Sequence, residues 1–125
     1  MLIDTDILIW LLRGNPKAVR AVGDVAVRNI SVVTRMELVQ GCRDRQEVIL
    51  LKRFLNDYVV HVLPLTPEVG HRADTWMEEF ALSHGVGLAD CLIAATASQQ
   101  GMTLFTANAK HFRCFPKLPV KRFAT

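Results

Sequence analysis

Two aspartates interrupt the apolar segment that opens this chain, Met1-Leu-Ile-Asp-Thr-Asp-Ile-Leu-Ile-Trp-Leu-Leu12. So apolar a run belongs in an interior, where a carboxylate is costly unless it is hydrogen-bonded, paired or bound to a metal. The conflict recurs twice. Glu37 follows the apolar run Ile30-Ser-Val-Val33, and Asp90 opens Leu88-Ala-Asp-Cys-Leu-Ile-Ala-Ala95, which is apolar all round. Each acid falls at a strand-to-helix or loop-to-helix junction. Any fold must bury these segments and still give Asp4, Asp6, Glu37 and Asp90 something to bind. One shared cation would serve all of them.

The hydrophobic pattern predicts short strands alternating with helices. Met1 to Asp4 reads as a buried strand. Ile7 to Leu12 fits strand or helix by pattern alone, with Arg13-Gly14 resembling a helix end. Asn15-Pro16 is a cap and first-position pair for a helix to about Val22. Ile30 to Val33 is a second strand, and Thr34 to Gly41 a helix. Arg45 to Tyr58 carries apolar residues at helical spacing, and Val59 to Leu63 is a β-branched strand. Thr66-Pro67-Glu68 starts a helix running to about Ser83, and Ala89 to Gln100 is another. Thr103 to Thr106 and Leu118 to Lys121 complete the strands, around a turn or short helix at Ala107 to Phe112. Such alternation implies right-handed crossovers and an α/β/α sandwich with a central parallel sheet. Ligands then bind beyond the carboxyl ends of the strands, where Asp4, Asp6 and Glu37 would lie.

With 125 residues, the chain is expected to form one domain, residues 1–125, with enough apolar surface for a core. No apolar run is long enough to span a membrane, and no basic region precedes the apolar N-terminus, so a cytoplasmic location is expected. Cys42, Cys91 and Cys114 are odd in number and widely spaced, which fits buried thiols better than a disulfide framework or zinc knuckle. The four histidines form no ligand pair. If the four acids converge, eight others remain against 15 Lys and Arg. No acid follows Asp90, whereas Lys110, Arg113, Lys117, Lys121 and Arg122 do. An acidic pocket in a basic exterior suits a polyanion whose phosphate must meet a metal. A solubilising tail is the plainer explanation.

Each acid also has a local explanation. Thr34-Arg-Met-Glu37 fits a capping box, Asp90 complements a helix dipole, and Asp4 and Asp6 fit a cap near Ile7. Together they fit a hard divalent cation such as Mg²⁺ or Mn²⁺, which takes oxygen ligands. The chain has neither a Walker-type phosphate loop nor a G-x-S-x-G nucleophile elbow.

Four segments carry a resemblance across nearly the whole chain. Leu2-Ile-Asp-Thr-Asp-Ile-Leu-Ile-Trp-Leu-Leu-Arg-Gly14 is similar to the opening of PIN-domain nucleases, especially the VapC-type toxins. Ser31 to Gly41, Gly87 to Ala97 and Thr103 to Phe112 resemble their second, third and fourth motifs, in order and spacing. The resemblance implies a PIN-like fold and a divalent-metal-dependent endoribonuclease neutralised by a cognate antitoxin, and it implies a homodimer. It makes Asp4 and Asp90 direct metal ligands, and Glu37 a ligand or the holder of the attacking water. Asp6 and Asn108 support the site, and Thr106 hydrogen-bonds to it. Two positions depart from the pattern: Asp6 stands where the family often has Asn, and Asn108 where it can have an acid. A phosphorylation-dependent receiver domain and a non-catalytic RNA-binding module are the rival expectations. The receiver would need a phosphate-accepting Asp at a central strand end, and Asp57 instead precedes a strand.

Overall fold

The computed structural model describes residues 1–124. Five strands form one sheet: β1 (Leu2–Ile3), β2 (Arg28–Ser31), β3 (Val60–Leu63), β4 (Leu104–Thr106) and β5 (Val120–Arg122). Their order is β3-β2-β1-β4-β5, and every pairing is parallel. Six α-helices connect the first four strands in pairs, α1 (Thr5–Leu12), α2 (Pro16–Gly23), α3 (Val32–Gln40), α4 (Arg45–Asp57), α5 (Pro67–His84) and α6 (Leu88–Gln99), and a short 3-10 helix, Ala109–Phe112, lies between β4 and β5. The expected α/β/α sandwich is the observed one.

Strand alternation divides the core in two. Leu2 and Leu104 face α5 and α6, where Trp76, Ile93 and Phe112 are buried. Ile3 and Phe105 face the other side, with Ile7, Leu8, Val22, Leu51 and Leu55 from α1, α2 and α4. The apolar-all-round pattern of α6 is explained by its place: Cys91, Ile93, Ala94, Ala95, Thr96 and Ala97 are all buried. Small side chains let this helix approach both the sheet and α5 closely.

Polar side chains fix the helix starts. Asp4, Asn15, Ser31, Asp44 and Thr66 each accept a hydrogen bond from the first turn of the helix that follows. Arg28 ties three segments together, donating to the carbonyls of Val22, Tyr58 and Gly23 at 2.8, 2.7 and 3.3 Å.

Several elements differ from the sequence reading, among them the last strand, which is Val120–Arg122 rather than Leu118 to Lys121. Ile7–Leu12 is helical, which the pattern alone left open. The second strand ends at Ser31, because the Ser31 hydroxyl accepts from the Val33 N–H at 3.0 Å and starts α3 three residues before Thr34. The third strand begins at Val60, because Val59 is left-handed, with φ of 52°. Strand order also separates this fold from receiver domains, whose doubly wound sheets run 2-1-3-4-5.

Val59 follows the last turn of α4, is 63% exposed and has a β-branched side chain where asparagine or glycine is normal. That conformation costs about 1–2 kcal/mol in an L-residue. Val59→Asn is expected to stabilise the protein by about 1 kcal/mol, since Asn tolerates this region. A urea melt with an unmoved or lowered midpoint would count against the strain.

Candidate metal centre at the carboxyl end of the sheet

In this strand order the sheet grows one way from β1 to β2 and β3 and the other way from β4 to β5, and open α/β sheets form a crevice at such a switch between β1 and β4. Asp4 follows β1 at that point and Thr106 ends β4. The Asp4 carboxylate accepts from the Thr5 N–H at 2.8 Å and from the Thr106 hydroxyl at 2.7 Å. The Thr106 hydroxyl accepts in turn from the Asn108 N–H at 3.0 Å. Asp4 therefore caps α1 and is tied to the end of β4 at once.

The remaining acids gather around it. Asp6, in the first turn of α1, accepts from the Asn108 side-chain amide at 2.7 Å. Its other oxygen is buried and has no hydrogen-bond partner among the described residues. Asp90, in the first turn of α6, lies 3.6 Å from the His111 ring nitrogen. Glu37 projects from α3 and accepts from the Thr5 hydroxyl at 2.7 Å, which lies 3.0 Å from the Thr34 hydroxyl. The capping-box expectation for Thr34 and Glu37 is thus corrected. Thr34 lies inside α3, already capped by Ser31, and Glu37 reaches across to α1.

The carboxylates destabilise one another's charge. Burial, then neighbouring Asp6, raises Asp4 from 3.8 to about 7, against the lowering effects of Thr106 and Thr5, and Asp90 adds to the rise. Asp6 is raised by burial and, to a lesser degree, by Asp90, against the lowering effects of the Ile7 and Ala107 backbone N–H groups and the Asn108 amide. Asp90 is raised by burial and by Glu37, partly offset by His111. Among the described residues no Lys or Arg forms an ion pair with any of the four. No three Asp, Glu, His or Cys side chains among them close into a finished ligand cage. The donor set is nevertheless all oxygen, carries excess negative charge and leaves one buried Asp6 oxygen without a well-formed hydrogen bond among the described residues. Those features fit a hard divalent cation, which commonly retains water in its coordination shell.

A model of the PIN domain family matches residues 1–118. The chain belongs to the PIN-domain family. It is 39% identical to Ribonuclease VapC10 of Mycobacterium tuberculosis, over 94% of this chain and 90% of that protein. Ribonuclease VapC19 of the same organism is 32% identical, over 94% of this chain and 95% of that protein. Among solved structures, a toxin–antitoxin complex from Klebsiella pneumoniae is similar with a TM-score of 0.78 and 26% identity, covering 94% of this chain and 93% of that one.

Within this PIN domain, Asp4, Asp6, Thr106 and Asn108 form one hydrogen-bonded group, and Glu37 and Asp90 are linked to it by their charges. Two neighbours were missed from sequence. Thr5 stands between the two aspartates, and nothing in the sequence marks its hydroxyl as reaching another helix. His111 follows Asn108 by one turn, and its spacing from the other histidines carries no ligand-pair signal. The basic residues after Asp90 divide: Lys110, Arg113 and Arg122 share a pocket with Asn108 and His111, whereas Lys121 stacks over Phe105 on the other face. A groove of about 630 Å³ runs between α1, α3 and α4, lined by Ile9, Leu12, Leu38, Leu50 and Phe54, with Glu37 also on its wall.

The raised Asp4 value has a consequence for metal-free protein. The unfolded chain releases this proton near pH 4 and the folded chain near pH 7, so the unfolded state binds fewer protons between them. The contribution of Asp4 to stability therefore falls as pH rises from about 4 to about 7, and levels off above. Asp4→Asn keeps a good cap and removes the charge. In chelator it is expected to melt above wild type at about pH 8, the gap closing near pH 4. A gap independent of pH would show that Asp4 is not the responsible group.

Proposed function

We propose that this chain, residues 1–125 acting as one domain, is a divalent-metal-dependent endoribonuclease and the toxin of a type II toxin–antitoxin pair. It would act in the cytoplasm. The observation that carries the reading is the group of four carboxylates, without a paired Lys or Arg among the described residues, at the sheet's switch point. Membership of the PIN family and the names of its Mycobacterium relatives support the choice of RNA. No helix among the described residues is long and apolar enough to cross a membrane.

Asp4 and Asp90 are the proposed metal ligands, with Glu37 either a third ligand or the acceptor that holds the attacking water. Mg²⁺ is the proposed ion, and Mn²⁺ is the other candidate. A bound divalent ion supplies Lewis acidity, lowering the pKa of a water and neutralising charge on the phosphate. Thr106 fixes the Asp4 carboxylate, each of whose oxygens accepts one protein hydrogen bond and keeps a further lone pair for a cation. Thr5 does the same for Glu37, and Asn108 for Asp6. These contacts hold like charges together before the substrate arrives, so little reorganisation is left for the reaction itself.

The partner proposed for the apolar groove is a segment of the antitoxin. Ile9, Leu12 and Leu50 are exposed there although they are large and apolar. Glu37 belongs to both the groove wall and the acid group. An Arg on that segment could reach Glu37 and bind it bidentately, displacing the metal's role as counter-charge. Two copies of the chain are proposed to pair as a homodimer.

Asp4→Asn is expected to lose RNA cleavage by orders of magnitude while remaining folded. Glu37→Gln retains an oxygen that can accept from Thr5 but loses the charge. Its activity should fall sharply with a stability loss below roughly 1 kcal/mol. Wild-type cleavage by either folded variant removes that residue from the chemistry. Expression of the chain alone should arrest growth, and co-expression of a neighbouring antitoxin gene should relieve it. Folded protein that binds RNA but never cleaves it with Mg²⁺ or Mn²⁺ would leave only a binding module.

A further inference from the structure

The segment after β4 touches two features of opposite sign. Asn108 donates to Asp6 at 2.7 Å and His111 lies 3.6 Å from Asp90. The same two residues, with Lys110, Arg113 and Arg122, wall a pocket of about 200 Å³ that no acidic residue lines. Arg122 reaches it because β5 pairs in parallel with β4 and sets Arg122 beside Thr106, at the carboxyl end of the sheet. Lys110, Arg113 and Arg122 have no carboxylate partner among the described residues. The other cations of the acid-free stretch do not join them. Strand alternation turns Lys121 to the opposite face, where its Nζ sits 5.2 Å from the Phe105 ring centroid and the side chain borders a separate cavity with Met1 and Asp24. Lys117 lines neither cavity.

We propose that this pocket binds the RNA backbone phosphate that neighbours the one to be cleaved, an inference that rests on the nuclease reading. A strand whose reacting phosphate lies at the carboxylates carries further negative charges on both sides, and these must avoid the acids. The pocket gathers cations around Asn108 and His111, the two residues that also touch Asp6 and Asp90. Two guanidiniums there match a phosphate's oxygens in geometry as well as in charge. The contact sets the register of the strand and leaves the chemistry to the carboxylates.

The test compares two charge-matched pairs, Arg113→Gln/Arg122→Gln and Lys117→Gln/Lys121→Gln. Binding of a labelled single-stranded RNA is measured in the Asp4→Asn background with Mg²⁺, so that the RNA survives. The arginine pair is expected to weaken binding about tenfold. It should also flatten the slope of log affinity against log salt by about 0.7, the value of one phosphate contact on a single strand. The lysine pair should change neither. With Asp4 restored, the arginine pair should raise KM and leave kcat nearly unchanged. Arg113→Lys/Arg122→Lys, which keeps the charge, should retain the slope. If circular dichroism shows the double Gln variant unfolded, each single Gln variant carries the test with a smaller shift. Equal effects from the arginine and lysine pairs, in a wild type that cleaves RNA, would overturn the subsite and spare the nuclease. A wild type that neither binds nor cleaves RNA would overturn both.

Discussion

The hydrogen bond from Thr106 to Asp4 joins the two central strands at the point where their connections diverge. Asp4 is 5% exposed, too buried to rely on water alone. Its two protein donors come from unlike places: the Thr5 amide at the start of α1, and a hydroxyl at the end of β4, 102 residues further along. The local donor alone would give a helix cap, and the distant one makes a site. Parallel pairing of β1 with β4 brings them together, since the Asp4 N–H already donates to the Phe105 carbonyl at 2.9 Å. The carboxylate position is therefore set by backbone pairing, and the hydroxyl follows from it.

The four acids remain tolerable because three of them sit at helix starts. Asp4 caps α1, Asp6 lies in its first turn, and Asp90 lies in the first turn of α6. Unpaired N–H groups and the dipole at those ends favour negative charge. Dipole complementation and service in a common site are thus compatible roles for one residue. Glu37 lacks that support, being in the second turn of α3. It depends instead on Thr5, whose hydroxyl, with a single proton to give, donates to the carboxylate and is free to accept from Thr34.

The sheet and its two cores were legible in the sequence because β-branched runs alternated with helical spacing and with strong caps. What misled the reading was short range. Ser31 offered a cap as good as Thr34, and propensity does not choose between two hydroxyls three residues apart. Val59 looked like strand because it is β-branched, yet the chain must reverse there after α4. The carboxylates stood out because charge was misplaced among apolar residues, a signal that needs no structure. Thr5 and His111 gave no such signal. A threonine is unremarkable between aspartates until its hydroxyl is seen to reach another helix, and an exposed histidine matters only once Asp90 is beside it.

Strand order also explains how regions of opposite character can serve one reaction. Glu37 and the apolar groove belong to the β2 side of β1, through α3. Arg113, Arg122 and the basic pocket belong to the β4 and β5 side. The acids lie between them, at the crevice. A segment that fills the groove reaches the acids through Glu37, while a polyanion held by the basic pocket reaches them through Asn108 and His111. Neither approach needs to cross the other until it arrives at the carboxylates. Competition between an inhibitor in the groove and an RNA in the pocket would then be decided at the acids themselves. There, both a guanidinium and a metal answer the same excess negative charge.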